Sequence, residues 1–152
     1  MSTSTIQSVR SAIKTNISSR LSTDAVTGVT VRQYPPTGTD TQLQDWIFLI
    51  EADATRQHLT FGATNTGKDV ETYDFTGQVW VYKSGASEDD LSAAETRALA
   101  VFASVENAIR ITDDSPDSSF HAQITRYKVT PYPDASNSVC VVEFTIEVEA
   151  HL

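Results

Sequence analysis

The sequence predicts an α+β fold: a mostly antiparallel sheet of about five strands with two helices packed on it, in the order α-β-β-β-α-β-β. Two stretches repeat apolar residues at spacings of three and four, the mark of a helix with one buried face. Strand-like runs bounded by Pro, Gly and Asn fill the rest. The chain closes on "CVVEFTIEVEA", residues 140–150. There Cys140, Val142, Phe144, Ile146 and Val148 share one face, and Glu143, Glu147 and Glu149 the other.

The first helix is the stripe Ile6, Val9, Ile13, Ile17 and Leu21, with Thr3, Ser4 or Thr5 as its cap and "STD" as its end. "VTVRQY", residues 29–34, reads as a strand stopped by Pro35 and Pro36. "TGTDTQLQ" is a polar turn region, and "DWIFLIEAD", residues 45–53, is apolar on both faces from Trp46 to Ile50, as a central strand is. "RQHLTFG" extends this pairing or belongs to a projecting hairpin, and "ATNTGKD", residues 63–69, is a loop by composition. In "VETYDFTGQVWVYKS", residues 70–84, Tyr73, Phe75, Val79 and Val81 take one face, Trp80 and Tyr82 the other.

The second helix opens on a capping-box-like pair, Ser87 and Asp90, with Glu88 and Asp89 at the positive end of its dipole. Its stripe is Leu91, Ala94, Ala98, Phe102, Val105 and Ile109. Ala94, Ala98 and Ala103 suit a close approach to the sheet, and Arg110 falls at the C-terminal end. "TDDSPDSS", residues 112–119, is a loop. The last two strands, residues 120–130 and 138–150, form a hairpin across "PYPDASN". Alternation in the first of them slips near Arg126, which predicts a bulge.

With 152 residues and 39% hydrophobic content the chain suits one domain, residues 1–152, with residues 1–5 frayed. A net charge of −9 argues against gripping nucleic acid, whose affinity comes from Lys and Arg on phosphates, but suits letting it slide past. The lone Cys140 has no intrachain partner and reads as a small core residue. The start "MSTSTIQSVR" has no apolar signal region, and no run reaches membrane-spanning length. A protein made in a cytoplasm, with no membrane partner, is the expectation.

No catalytic residue, metal ligand or cofactor is expected. His58, His121 and His151 share no ligand spacing. There is no G-x-S-x-G elbow. Gly62 and "GKD" at 67–69 mimic a phosphate loop, but Asp69 replaces its Ser/Thr and no helix pattern follows. Glu88, Asp89 and Asp90 read as helix-start electrostatics, and Asp113, Asp114 and Asp117 as a solvated loop. An enzyme is the minority reading.

The N-terminal helix "IQSVRSAIKTNI", the strands "DWIFLIEAD" and "YDFTGQVWVYKSG", the helix "AAETRALAVFASVENAI" and the ending "VVEFTIEVEAHL" together resemble the tail terminator (tail completion) proteins of long-tailed bacteriophages. The resemblance spans nearly the whole chain, by order and flavour of elements. It implies a structural virion protein, assembled in the host cytoplasm and placed at the head-proximal end of the tail. Such a protein forms a homo-oligomeric ring, usually a hexamer. It caps the tail tube made of the major tail tube protein, stops its polymerisation and presents a surface to the head-closure or connector protein. DNA passes through the ring without specific binding. On that reading Arg56, His58, Leu59, Phe61 and Lys68, within the segment from Ala54 to Val70, form a tube or subunit contact loop. Glu143, Glu147 and Glu149 form an acidic lumen or solvent face. A head-closure or other neck protein is the alternative, and a small enzyme or ligand-binding module a more distant one.

Overall fold

The computed structural model describes residues 4–36, 44–59, 68–114 and 120–151. The elements follow the expected order: α1 (Ile6–Thr23), β1 (Val29–Arg32), β2 (Asp45–Leu59), β3 (Lys68–Ser84), α2 (Glu88–Asp114), β4 (Phe120–Asp134) and β5 (Asn137–His151). The strands form one sheet in the order β1-β2-β3-β5-β4. All neighbours are antiparallel except β1 and β2, which run parallel with Val29 opposite Asp45 and Arg32 opposite Phe48. Parallel neighbours need a crossover, not a tight turn. "TGTDTQLQ", expected as a polar turn region, lies outside the described residues except for its last residue, Gln44.

Several boundaries differ from the sequence expectation for local reasons. β1 ends at Arg32 rather than Tyr34 because Pro35 and Pro36 follow so soon. The β2–β3 ladder runs on to Leu59 opposite Lys68, so "RQHLTFG" extends the pairing at least to Leu59, while Lys68 and Asp69, expected in the loop, are strand. α2 continues through Asp113 and Asp114, so Arg110 is not in its last turn. Its Ala103 is exposed; Ala94, Ala98 and Ala108 are the small residues that are buried. The last hairpin turns on Ala135 and Ser136 alone, with Ala135 at φ +54°. "PYPD" is strand, and its prolines are tolerated because β4 is the sheet edge, where a missing N–H can face outward. The bulge expected near Arg126 is present, between Ile124 and Arg126.

Both helices cover one face of the sheet. Ile47 and Leu49 of β2, Tyr73, Phe75, Val79 and Val81 of β3, and Cys140 to Val148 of β5 meet Ala94, Ala98, Val101, Phe102, Val105 and Ile109 of α2. α1 packs beside α2 through Val9, Ile13, Ile17 and Leu21. Cys140 is fully buried, and burial pushes its thiol up to about 11, as expected of a small core residue. The capping box of α2 is formed: Asp90 N–H donates to Ser87 Oγ (3.2 Å) and Ser87 N–H to Asp90 Oδ2 (3.3 Å).

The start of α1 is held by a buried carboxylate. Glu71 of β3 points to the helix side, and its Oε1 accepts from Thr5 N–H (2.8 Å), Thr5 Oγ1 (2.8 Å) and Ser4 Oγ (3.2 Å). Ser4 and Thr5, expected within the frayed start, are thus tied to the sheet. Thr5 occupies the cap position without a side-chain cap bond because its hydroxyl is spent on Glu71. One turn on, the buried Arg10 donates to Gln33 C=O (2.9 Å) and stacks on the rings of Tyr34 (4.8 Å) and Phe75 (5.0 Å). It ties the chain after β1 to α1.

Tyr73 joins this anchor through its hydroxyl, 3.1 Å from Thr5 Oγ1. Burial first, and the charge of Glu71 beside it, push Tyr73 up to about 12 from an ordinary value of 10.0. The folded protein therefore keeps a proton that the unfolded chain releases near pH 10. This contribution is complete below about pH 10 and is lost as pH rises to about 12, roughly 2–3 kcal/mol in all. Denaturant melts between those pH values should show wild-type stability falling faster than that of Tyr73→Phe. Parallel pH profiles would contradict the assignment.

Candidate functional site

The face of the sheet away from the helices is built from the alternate residues of each strand. Register fixes its rows. Asp53 lies opposite Asp74, which lies opposite Glu147, and Glu51 lies opposite Thr76 beside Thr145. Gln78 lies between Phe48 and Glu143, and Thr72 opposite Glu149. Glu51, Asp53, Asp74, Glu143, Glu147 and Glu149 are all exposed. Arg126 and Lys128 of β4, opposite Thr145 and Glu143, put exposed cations among them. Gln78 Nε2 donates to Glu143 Oε2 (3.3 Å), which holds that carboxylate against β3. The three glutamates singled out in the sequence thus stand on one strand of a broader acidic face. A wall of this sign repels phosphate.

The residues expected to form a contact loop are placed differently. Arg56, His58 and Leu59 belong to β2 and Lys68 opens β3, with Arg56 opposite Glu71, His58 opposite Asp69 and Leu59 opposite Lys68. Phe61 lies outside the described residues. Most of the stretch from Ala54 to Val70 that is described is therefore ladder rather than loop. The reason is that Thr55, Gln57 and His58 supply backbone partners to β3 even where hydrophobic alternation gives no strand signal.

At the opposite end of this face the sheet changes character. Trp46 and Phe48 of β2 and Trp80 and Tyr82 of β3 line, with Pro35 and Pro36, a pocket of about 200 Å³. Trp46 pairs in register with Trp80, and Trp80 Nε1 donates to Gln78 Oε1 (2.6 Å). Gln78 thereby links the pocket to Glu143. Trp46 is only 6% exposed and its Nε1 is buried without a hydrogen-bond partner among the described residues. The guanidinium of Arg32 lies 5.9 Å from the Trp46 ring. Burial raises Tyr82 above the ordinary tyrosine range, with Tyr132 and Asp134 adding to it. The sequence carried the signal for this pocket: Trp46, Phe48, Trp80 and Tyr82 are large apolar residues at the outward parity of two adjacent strands. Their meeting depends on register, which the sequence does not display.

The sheet also presents two edges. Among the described residues β4 has a strand on one side only. On the other side β1 pairs with β2 over Asp45 to Phe48 and no further, so among the described residues the stretch Leu49–Leu59 of β2 has no strand beyond it. Among the described residues no group of three or more His, Cys, Asp or Glu is placed to hold a metal ion. No described helix is long and apolar enough to cross a membrane.

No family model matches this chain, and no curated protein sequence matches it. Among solved structures it is similar to a chain of the virion of a native gene transfer agent (GTA) particle, at TM-score 0.48 and 18% identity over 90% of this chain and 94% of that one.

Proposed function

We propose that this chain is a structural protein of a tailed-phage-type virion, a tail terminator that closes into a ring on the head-proximal end of the tail tube. The observation that carries the reading is that, among the described residues, the sheet ends on each side in a strand edge with no further strand beyond it. β4 from Phe120 to Thr130 and β2 from Leu49 to Leu59 are of equal length. They run in opposite directions within the sheet, so β4 of one copy meets β2 of the next as an antiparallel neighbour. Head-to-tail contacts of this kind make a ring when the rotation closes. A closed sheet also removes the aggregation hazard of two open edges.

In such a ring the helices face outward and the acidic face lines the bore. About six copies with four long strands each give about 24 strands at about 4.8 Å spacing, a circumference of about 115 Å. Such a bore passes a DNA duplex, and Glu143, Glu147 and Glu149 keep it from sticking. The far end of the β2–β3 hairpin, with Arg56, His58, Leu59 and Lys68, is assigned to the contact with the tail tube protein or the neighbouring subunit. The head-closure or connector protein takes the other rim.

Light scattering on the protein alone and with tail tube protein tests the ring, with a mass of about six subunits expected on closure. A complex of one copy per tube end would remove the reading. Replacing Glu143, Glu147 and Glu149 together with lysine is expected to leave ring mass unchanged while DNA passage fails. Unaltered DNA delivery by that variant would remove the bore assignment.

A further inference from the structure

Both tryptophans of the chain line one small pocket. We infer that this pocket takes Pro131 and Pro133 of a second copy of the chain, an inference that rests on the ring reading above. The directions of the strands bring the two together. When β4 of one copy runs antiparallel along Leu49–Leu59 of the next, its Pro131–Asp134 end arrives where β1 already occupies the edge of β2. It cannot extend the ladder there. Pro131 and Pro133 have no N–H to offer, and β1 stands in the way. The helices fill the inner face, so the segment rises over β1 onto the outer face, where Pro35, Pro36, Trp46, Phe48, Trp80 and Tyr82 form the pocket.

Chemistry agrees with this placement. Pro131 and Pro133 are exposed, in a segment held extended by β5. Extended proline segments dock on aromatic-lined grooves because their conformation is already fixed and costs little to order. A volume of about 200 Å³ suits a proline ring with part of its neighbour rather than a large ligand. Charge is complementary as well. Exposed Asp134 follows Pro133, and the guanidinium of Arg32 stands over Trp46 at the pocket rim. Followed across the ladders, the Trp46–Trp80 row continues through Val141 to Thr130, so pocket and prolines occupy the same end of the sheet on opposite sides. Each copy thus carries one socket and one plug, as a head-to-tail ring requires.

Tryptophan emission reads the socket directly, because both tryptophans stand in it. The peptide KVTPYPDAS, residues 128–136, is titrated onto the full chain carrying Pro131→Ser and Pro133→Ser, whose own plug is disabled. A saturable emission shift is expected. The same peptide with both prolines replaced by serine, or a Tyr82→Ser chain, should bind about tenfold more weakly. No saturable shift, or equal binding of the serine peptide, overturns the inference. Ring mass is read separately. Arg32→Glu and Asp134→Arg should each weaken assembly and together restore it, and a wild-type ring indifferent to all of these changes overturns the plug and socket while leaving the ring. Peptide binding by a chain that never closes, with or without tube protein, keeps the contact and removes the ring.

Discussion

Phe144→Ala is expected to lower stability by about 3–5 kcal/mol, a large part of the total for a domain of this size. Phe144 is 1% exposed, lies 5.7 Å from the ring of Phe102, and rests on Gly77, its register partner across β3 and β5. The strand between Phe144 and Leu49 carries no side chain at that point because there is no room for one. A Cβ on Gly77 would stand 2.5 Å from Phe144 Cζ and 3.0 Å from Leu49 Cδ2. Gly77→Ala by itself should therefore cost about 1–3 kcal/mol by overpacking. In the Phe144→Ala background the methyl has space, and the loss of glycine flexibility in the unfolded chain turns the same change neutral or stabilising by up to about 1 kcal/mol. Urea melts of the four proteins give the coupling directly. Equal costs of Gly77→Ala in both backgrounds would show that the strand, not the phenylalanine, sets the requirement.

Glu71→Ala carries the second large effect, about 2–3 kcal/mol. Three donors converge on Glu71 Oε1 and, with the Tyr73 hydroxyl, tie the start of α1 to β3. Hydrogen bonds to a charged acceptor contribute more than neutral ones, and a buried donor left alone loses its full desolvation energy. Ser4 is exposed and recovers water, which keeps the figure below the sum of three such bonds. Glu71→Gln retains an acceptor and should recover about half. Hydrogen exchange separates this from a general loss of packing: the amides of the first turn of α1 should exchange faster, while those of β5 change only with global stability. Slow exchange at Val9 in the alanine variant would mean that the apolar stripe alone holds the helix start.

Some of this was legible residue by residue. The Ile6–Leu21 stripe, the Ser87–Asp90 box, the bulge at Arg126 and the two faces of β5 all stand where spacing and alternation place them. Each depends on neighbours within a few positions. Glu71 and Arg10 were not legible. A carboxylate and a guanidinium in amphipathic stretches read as solvent-facing, and their burial depends on donors and rings from distant segments. For Arg56 to Leu59 the sequence left two readings open, extension of the pairing or a projecting hairpin, and register with β3 decided for extension, since their pairing is supplied by β3 and not by their own alternation.

The sequence by itself determined the two-layer character of this protein. Polarity periods of two and of three to four decide which side of each element meets water, and that is a local property of the chain. It likewise determined that the last strand shows three carboxylates to the outside. The tertiary structure alone decided which strands are neighbours. By setting β1 parallel to the first residues of β2 only, and placing β5 inside β4, it left a strand edge on each side of the sheet among the described residues. By pairing Trp46 with Trp80 it brought four aromatic rings and two prolines into one pocket. Register is a long-range quantity, fixed by the packing of the whole core at once, and no window of sequence contains it.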